Sequence, residues 1–347
     1  RIMFFSQIVL AAGALGLAAL SWRHGPLLLI YGCLVVIGGA GAFNNPASSA
    51  LIAQVIPTDA YESAMTWRSS TQQVSSVLGP AAGGFLISLF HGAAWVFALY
   101  AVAALSFALL LSFLRVRASA TRAVRGTTLH SVTDGIRFLG RSQVLLAAIT
   151  LDLFAVLLGG ATTLLPIFAK DILHVGPVGF GWLRAASSAG AVCMALVLAH
   201  RPAFAHAGRT LLLAVVGFGV VTIIFGLSRS FALSLVMLLL LGAFDNISVV
   251  IRSTLLLVRT PDEMRGRVGA VNALFIGTSN QLGGFESGVT AAAFGPVVAV
   301  ALGGIGSALA VAGIAWAWPE LRALGRMTAV EADEAKVEAR VEASKLT

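Results

Sequence analysis

Long apolar stretches alternate with short polar ones from one end of the chain to the other. Ten apolar runs can be traced, at roughly 2–21, 27–54, 64–90, 94–114, 144–169, 178–199, 210–228, 231–257, 267–292 and 296–318. A helix of ~20 residues crosses a ~30 Å hydrocarbon core, so the pattern predicts an all-α polytopic membrane protein. Several runs exceed that minimum, which calls for tilt or for extension beyond the bilayer.

The polar connections predict the orientation. Segments 55–63, 115–143, 200–209 and 258–266 and the tail after 318 fall on one side. The longest carries Arg115, Arg117, Arg122, Arg125, Arg137 and Arg141 against the acid Asp134, whereas the opposite side holds only Arg23, Lys170 and Arg229 as basic residues. The positive-inside rule then places the Arg1 end and the C-terminus in the cytoplasm. Within 115–143, residues Val132 to Leu139 could form an amphipathic helix on the inner membrane face, or the segment could be a solvated linker. The acidic and basic tail (Glu331, Asp333, Glu334, Lys336, Glu338, Arg340, Glu342) reads as a solvated or frayed helix.

A long repeat lies inside this pattern. Pro57, Ser75, Gly79 and Gly84 recur 204 residues later as Pro261, Ser279, Gly283 and Gly288. The stretch before it repeats at a spacing of 201: Gly41-Ala42-Phe43-Asn44-Asn45 matches Gly242-Ala243-Phe244-Asp245-Asn246. Such a repeat in apolar sequence marks a transporter built from two related halves. Four runs precede the 115–143 segment and six follow it, and Gly208-Arg209-Thr210-Leu211 resembles the opening Arg1-Ile2-Met3. The first half is therefore expected to have six helices as well, with two, some ~60–70 residues, upstream of Arg1. The expected organisation is a four-helix first half over 1–114, a cytoplasmic interdomain loop over 115–143, a six-helix second half over 144–318 and a charged tail over 319–347.

Composition narrows the function. The chain is 58% hydrophobic and 11% charged, with mean hydropathy +0.92, whereas soluble domains carry ~25% charged residues. The net charge of +8 sits in the segments between apolar runs, which removes the nucleic-acid reading. Cys33 and Cys193 lie within apolar runs and are expected to be buried thiols without a disulfide. His24, His91, His130, His174, His200 and His206 all fall in loops or at run ends, and neither an HExxH nor a GxSxG pattern is present. That argues against an intramembrane enzyme and gives no metal site and no cofactor. A phosphate-binding loop with Gly-Lys-Ser/Thr is missing too, so transport would draw on a gradient or on a partner that supplies the energy. A receptor without flux remains a third class, but no soluble signalling domain accompanies it.

At the motif level the chain resembles the major facilitator superfamily, and within it the bacterial efflux branch that includes enterobactin exporters. Gly79-Pro80-Ala81-Ala82-Gly83-Gly84 is similar to the end of the antiporter motif in the fifth helix of such exporters, with Ser75 where that motif usually has glycine. Thr150-Leu151-Asp152-Leu153-Phe154, Gly159-Gly160 and Leu164-Leu165-Pro166 resemble the seventh helix. Asn272-Ala273-Leu274-Phe275-Ile276-Gly277 through Phe285-Glu286-Ser287-Gly288 resemble the eleventh, and Gly284 stands where relatives often carry an acid. The resemblance implies a twelve-helix bundle, of which this chain supplies ten, and proton antiport.

Three sets of residues are candidates for the work. A charge at the bilayer centre costs ~2.5–3.5 kcal/mol on insertion scales, so it needs a partner or a wet cavity. Asp152 lies about 12 Å into its helix at ~1.5 Å per residue. Arg252 follows Asp245 by two turns on one helix face. The resemblance makes their two helices neighbours, so Asp152–Arg252 or Asp245–Arg252 pairing is expected. A carboxylate moving between a dry setting and a guanidinium would load and release a proton, while a static brace is the plain alternative. Glu286 and Arg184, both towards the outer ends of their runs, are candidates for an outer gate pair, although snorkelling also accounts for Arg184. Asn44, Asn45, Arg68, Gln72, Gln73, Asn280 and Gln281 are candidates to line a substrate cavity, with helix–helix hydrogen bonding as the alternative. Gly79, Pro80, Gly83, Gly84, Gly283 and Gly288 are candidates for hinge and close helix packing.

The function expected from these residues is proton-driven export of a small amphipathic compound, drug or siderophore-like, by alternating access in a bacterial inner membrane. Its partners would be the small-molecule substrate, protons and the lipid bilayer, with the protein a monomer. An importer or lipid mover on the same fold is the runner-up, because fold does not set direction.

Overall fold

The computed structural model describes residues 2–56, 60–113, 129–202, 204–261 and 264–325. The polar tail after 325, the connection over 114–128 and Pro57 to Asp59 lie outside the described residues. Every long element is a helix, and no strand occurs among the described residues. In chain order they are α1 (Ile2–Trp22), α2 (Leu27–Val55), α3 (Tyr61–Leu89), α4 (Ala94–Phe113), α5 (Leu129–Arg141), α6 (Gln143–Leu158), α7 (Leu165–Ile167), α8 (Gly176–Ala199), α9 (Ala207–Leu227), α10 (Phe231–Arg259), α11 (Arg265–Phe294), α12 (Pro296–Ala317) and α13 (Pro319–Ala323).

Among the described residues, eight spans combine the length and the apolarity needed to cross a membrane. The two long helices that fall short, α3 and α11, are the ones carrying the 204-residue repeat. Their polar residues (Arg68, Gln72 and Gln73 on α3; Asn272, Asn280, Gln281 and Glu286 on α11) lower the average without shortening the helix.

The apolar run at 144–169 lies within one candidate span, Gln143–Ile172, but it is not one continuous helix. α6 stops at Leu158, a single tight turn spans Gly160–Thr162, and α7 continues as a wide turn over Phe168–Ile172. Pro166 has no N–H to give and starts a helix better than it continues one. Gly160 lies so close to α11 that a Cβ there would collide with Ser287 Oγ.

The chain divides into two compact units, residues 1–122 with 176–181 and residues 123–175 with 182–347. In the first, α1 packs along α2 and α4. In the second, α9 packs along α10 and α12 in the same pairing, while α6 lies against α11 and α12. Buried positions of α1 and α9 match at a spacing of 208: Met3 with Leu211, Ser6 with Ala214, Gln7 with Val215, Ala11 with Gly219, Gly13 with Val221, Ala14 with Thr222 and Leu17 with Phe225. α4 and α12 match at 203, through Ala101 and Gly304, Ala104 and Ser307, and Ala108 and Val311. The sequence repeat is therefore also a repeat of packing register.

α5 belongs to the second unit. Phe138 and Leu139 enter the core formed by α6, α9, α10, α11 and α12. Asp134 accepts a hydrogen bond from Arg267 on α11 at 3.2 Å, and Gly135 rests on the backbone of Arg267. The helix is amphipathic because one face is core. Both cysteines are free, but Cys33 is half-buried and Cys193 exposed on the outside of α8, which corrects the expectation of buried thiols. An apolar helix face that meets lipid tolerates a thiol as readily as a core does.

Candidate functional site

In the second unit, α6 and α10 bring two opposite charges into an apolar interior. Arg252 Nη1 lies 2.5 Å from Asp152 Oδ2, and the two side chains are only 7% and 8% exposed. Leu151, Ile251 and Leu255, on the same two helices, are each at most 1% exposed. Arg252 Nε is buried without a hydrogen-bond partner among the described residues, so the guanidinium keeps one donor to spare.

Asp245 lies two turns from Arg252 along the same face of α10, and Arg252 acts electrostatically on both carboxylates. Asp152, Asp245 and Ser248 are the polar members of one cleft, closed by Ala155, Val156, Val215, Phe218 and Phe244. Its enclosed space holds about one water molecule, whereas drug-sized sites run to ~300–1,000 Å³. The cleft therefore suits a proton and water better than a substrate. Asp152 is held by Arg252, but Asp245 has no hydrogen bond or contact ion pair among the described residues. The neighbouring Asn246 keeps a buried Oδ1 without a partner as well.

The structure does not pair Glu286 with Arg184, which corrects the outer-gate expectation. Arg184 Nη1 donates to the Thr162 carbonyl at 3.2 Å, filling an acceptor that the break after α6 leaves open. Glu286 instead accepts from Thr290 Oγ1 at 2.8 Å, one turn along α11, and from Ser287 Oγ at 3.4 Å. Each group finds a nearer partner than the other.

The cavity candidates are distributed over both units. Asn44 Oδ1 accepts from Gln7 Nε2 at 3.2 Å, joining α1 to α2 in the first unit. Arg68, Gln72 and Gln73 are exposed along α3. Asn280 donates to its own helix at the Ile276 carbonyl, 2.9 Å away, and Gln281 is exposed. The side chain of Asn45 lies outside the described residues.

Of the packing candidates, Gly84 and Gly283 sit against neighbouring backbone. A Cβ on Gly84 would strike the Pro177 carbonyl, and one on Gly283 would come within 2.8 Å of the Val156 carbonyl. Gly79, Gly83 and Gly288 would meet nothing within 4 Å among the described residues, which corrects the expectation of close approach at those three. Pro80 is inside α3.

Two residues of consequence were not singled out from the sequence. Gln7 is a buried amide in an otherwise apolar helix, and Ser248 stands in the cleft one turn from Asp245. The signal for Gln7 was present: the 208-residue offset of the openings of α1 and α9 sets it opposite Val215.

Comparison with known proteins agrees with this architecture. The sequence profile described as transmembrane secretion effector matches residues 1–345. Enterobactin exporter EntS of Escherichia coli O139:H28 (strain E24377A / ETEC) is 29% identical over 237 residues, 68% of this chain and 56% of that protein. The same figures hold for EntS of Escherichia coli O9:H4 (strain HS). The aligned part thus spans little more than half the length of these relatives. A bacterial homologue of the human lysosomal transporter Spinster, inward-facing and occupied, matches in fold with TM-score 0.63 at 15% identity, over 97% of this chain and 83% of that one. Its unoccupied form gives 0.62. The chain belongs to the transmembrane secretion effector family of the major facilitator superfamily, and it shares its fold with these solved transporters.

Proposed function

We propose that the protein is a secondary active exporter that moves a small amphipathic compound, drug or siderophore-like, outward in exchange for protons. The observation that carries the reading is the cleft between α6, α9 and α10, where a paired and an unpaired carboxylate share one guanidinium inside an apolar bundle. A carboxylate out of water persists only when it is paired or protonated. A site that alternates between these two conditions binds a proton on one side of the membrane and gives it up on the other. Export is supported by the exporter relatives.

In this reading residues 1–114 and 144–318 are half-bundles that rock against each other around a midplane cavity. The 115–143 segment joins them, and the 319–347 tail lies in the cytoplasm with the Arg1 end. The protein works as a monomer in a bacterial inner membrane.

The test uses the natural full-length protein in inside-out membrane vesicles under an imposed proton gradient, with enterobactin and amphipathic cationic dyes added one at a time. Collapse of the gradient that depends on the compound, and that Asp245→Asn or Asp152→Asn abolishes, is the expected result. A labelled compound that accumulates without any collapse would overturn proton coupling.

A further inference from the structure

The register match between the units places two polar arrangements in equivalent positions. In the first unit Asn44 of α2 is satisfied by Gln7 of α1. The sequence repeat aligns Asn44 with Asp245, and the shared burial register of α1 and α9 aligns Gln7 with Val215. Val215 does line the cleft beside Asp245. A neutral acceptor that holds a donor in one unit thus corresponds to a carboxylate that faces a valine in the other.

We propose that Asp245 is the carboxylate that takes up and releases the transported proton, and that Val215 is the positioning residue that makes this possible by withholding the amide donor Gln7 supplies to Asn44. The proposal rests on the proton-exchange reading above and names its titrating group. An N–H donor on an ionised carboxylate favours the ionised form, so a donor at position 215 would hold the charge in place. With valine there, the charge is compensated only by Arg252, which Asp152 already engages in contact. Protonation forms one O–H bond on an Asp245 oxygen from a proton of one compartment. Release returns that proton to water on the other side, and nothing else is consumed.

The other charged and titratable groups around α10 leave Asp245 this role. α6 brings Asp152, held by Arg252, and α9 has only Arg209 in its first turn. α11 brings Arg265 and Arg267 at its start, with Arg267 on Asp134, and Glu286, which accepts from Thr290. α8 brings Arg184, engaged with Thr162, and Cys193. α10 itself adds Arg259 in its last turn. Asn44 with Gln7 is then the fixed counterpart, polar and satisfied, with no proton to exchange.

Infrared difference spectroscopy between acidic and alkaline buffer tests this on the natural full-length protein in lipid vesicles, without substrate. The readout is the carbonyl stretch of a buried carboxylic acid. Its appearance on acidification is expected in the parent and in Val215→Leu, with complete loss in Asp245→Asn and loss of most of its amplitude in Val215→Gln. Asp245→Asn preserves shape and reproduces the residue already found at the equivalent position, and Val215→Leu controls for packing. A band that survives Asp245→Asn unchanged would overturn the assignment. Equal bands in Val215→Gln and Val215→Leu would overturn the role of Val215. Because no substrate is present, a failure of the exporter reading leaves the Asp245 band intact. A failure of this assignment instead leaves compound-driven gradient collapse intact while the band follows another residue.

Discussion

Ser287 Oγ on α11 occupies the space into which a side chain at Gly160 would grow. The broken stretch after α6 is thereby locked against α11 by the absence of one carbon atom. Overpacking a tight interior costs ~1–3 kcal/mol. Gly160→Ala is expected to lower the melting temperature of the detergent-solubilised protein, and Ser287→Gly in the same chain to restore most of the loss. A Gly160→Ala protein with unchanged melting would show that the contact is slack.

The Asp152–Arg252 pair makes a sharper demand. Removing one partner of a buried pair leaves an uncompensated charge and costs ~3–5 kcal/mol. Arg252→Met alone should therefore destabilise the second unit severely. Asp152→Leu together with Arg252→Met should recover near-parental melting while compound-dependent gradient collapse is lost. Recovery of both would reduce the pair to a brace.

The neutral counterpart in the first unit offers a converse experiment. Asn44→Asp with Gln7 in place keeps a donor on the new carboxylate, whereas Asn44→Asp with Gln7→Val reproduces the carboxylate-and-valine arrangement of Asp245 and Val215, with Leu51 at the position equivalent to Arg252. The double variant is expected to add a second carboxyl band in the infrared spectrum, and the single variant little or none. Identical spectra from the two would show that the donor at position 7 has no influence.

The short helix α5 separates core contact from surface charge. Phe138 is 3% exposed, while the side chains of the Asp134–Arg267 pair are 22% and 46% exposed. Exposed pairs contribute ~0–1 kcal/mol, and a buried Phe→Ala change costs ~3–5 kcal/mol. Phe138→Ala should therefore lower melting far more than Arg267→Ala. The reverse order would mean that charge, and not packing, holds α5.

Much of the helical architecture was legible in the apolar runs, because a span must satisfy its own backbone and so declares itself by length. The meeting of Asp152 and Arg252 was legible too, since two opposite charges at similar depth in neighbouring helices have few other partners. The break at Gly159 was not, because glycine and proline also occur in unbroken membrane helices. What fills the space beside the neighbouring Gly160 is Ser287, 127 residues beyond Gly160. Glu286 and Arg184 were misjudged for a related reason. Thr290 lies one turn from the carboxylate, and the Thr162 carbonyl is available only because the helix is broken. The amides of α3 read as a cavity lining from composition, and they are exposed along that helix.

The shared burial register of α1 with α9 and of α4 with α12 describes the outcome of a duplication. Two copies of an interior give every polar position a twin, and a coupled machine needs only one of them to carry charge. Asparagine and aspartate differ in outline by almost nothing, so Asn44 and Asp245 can trade roles without repacking the helices around them. On the proposed assignment one twin is the tool and the other part of the frame, and new coupling chemistry is then within reach of a few isosteric exchanges.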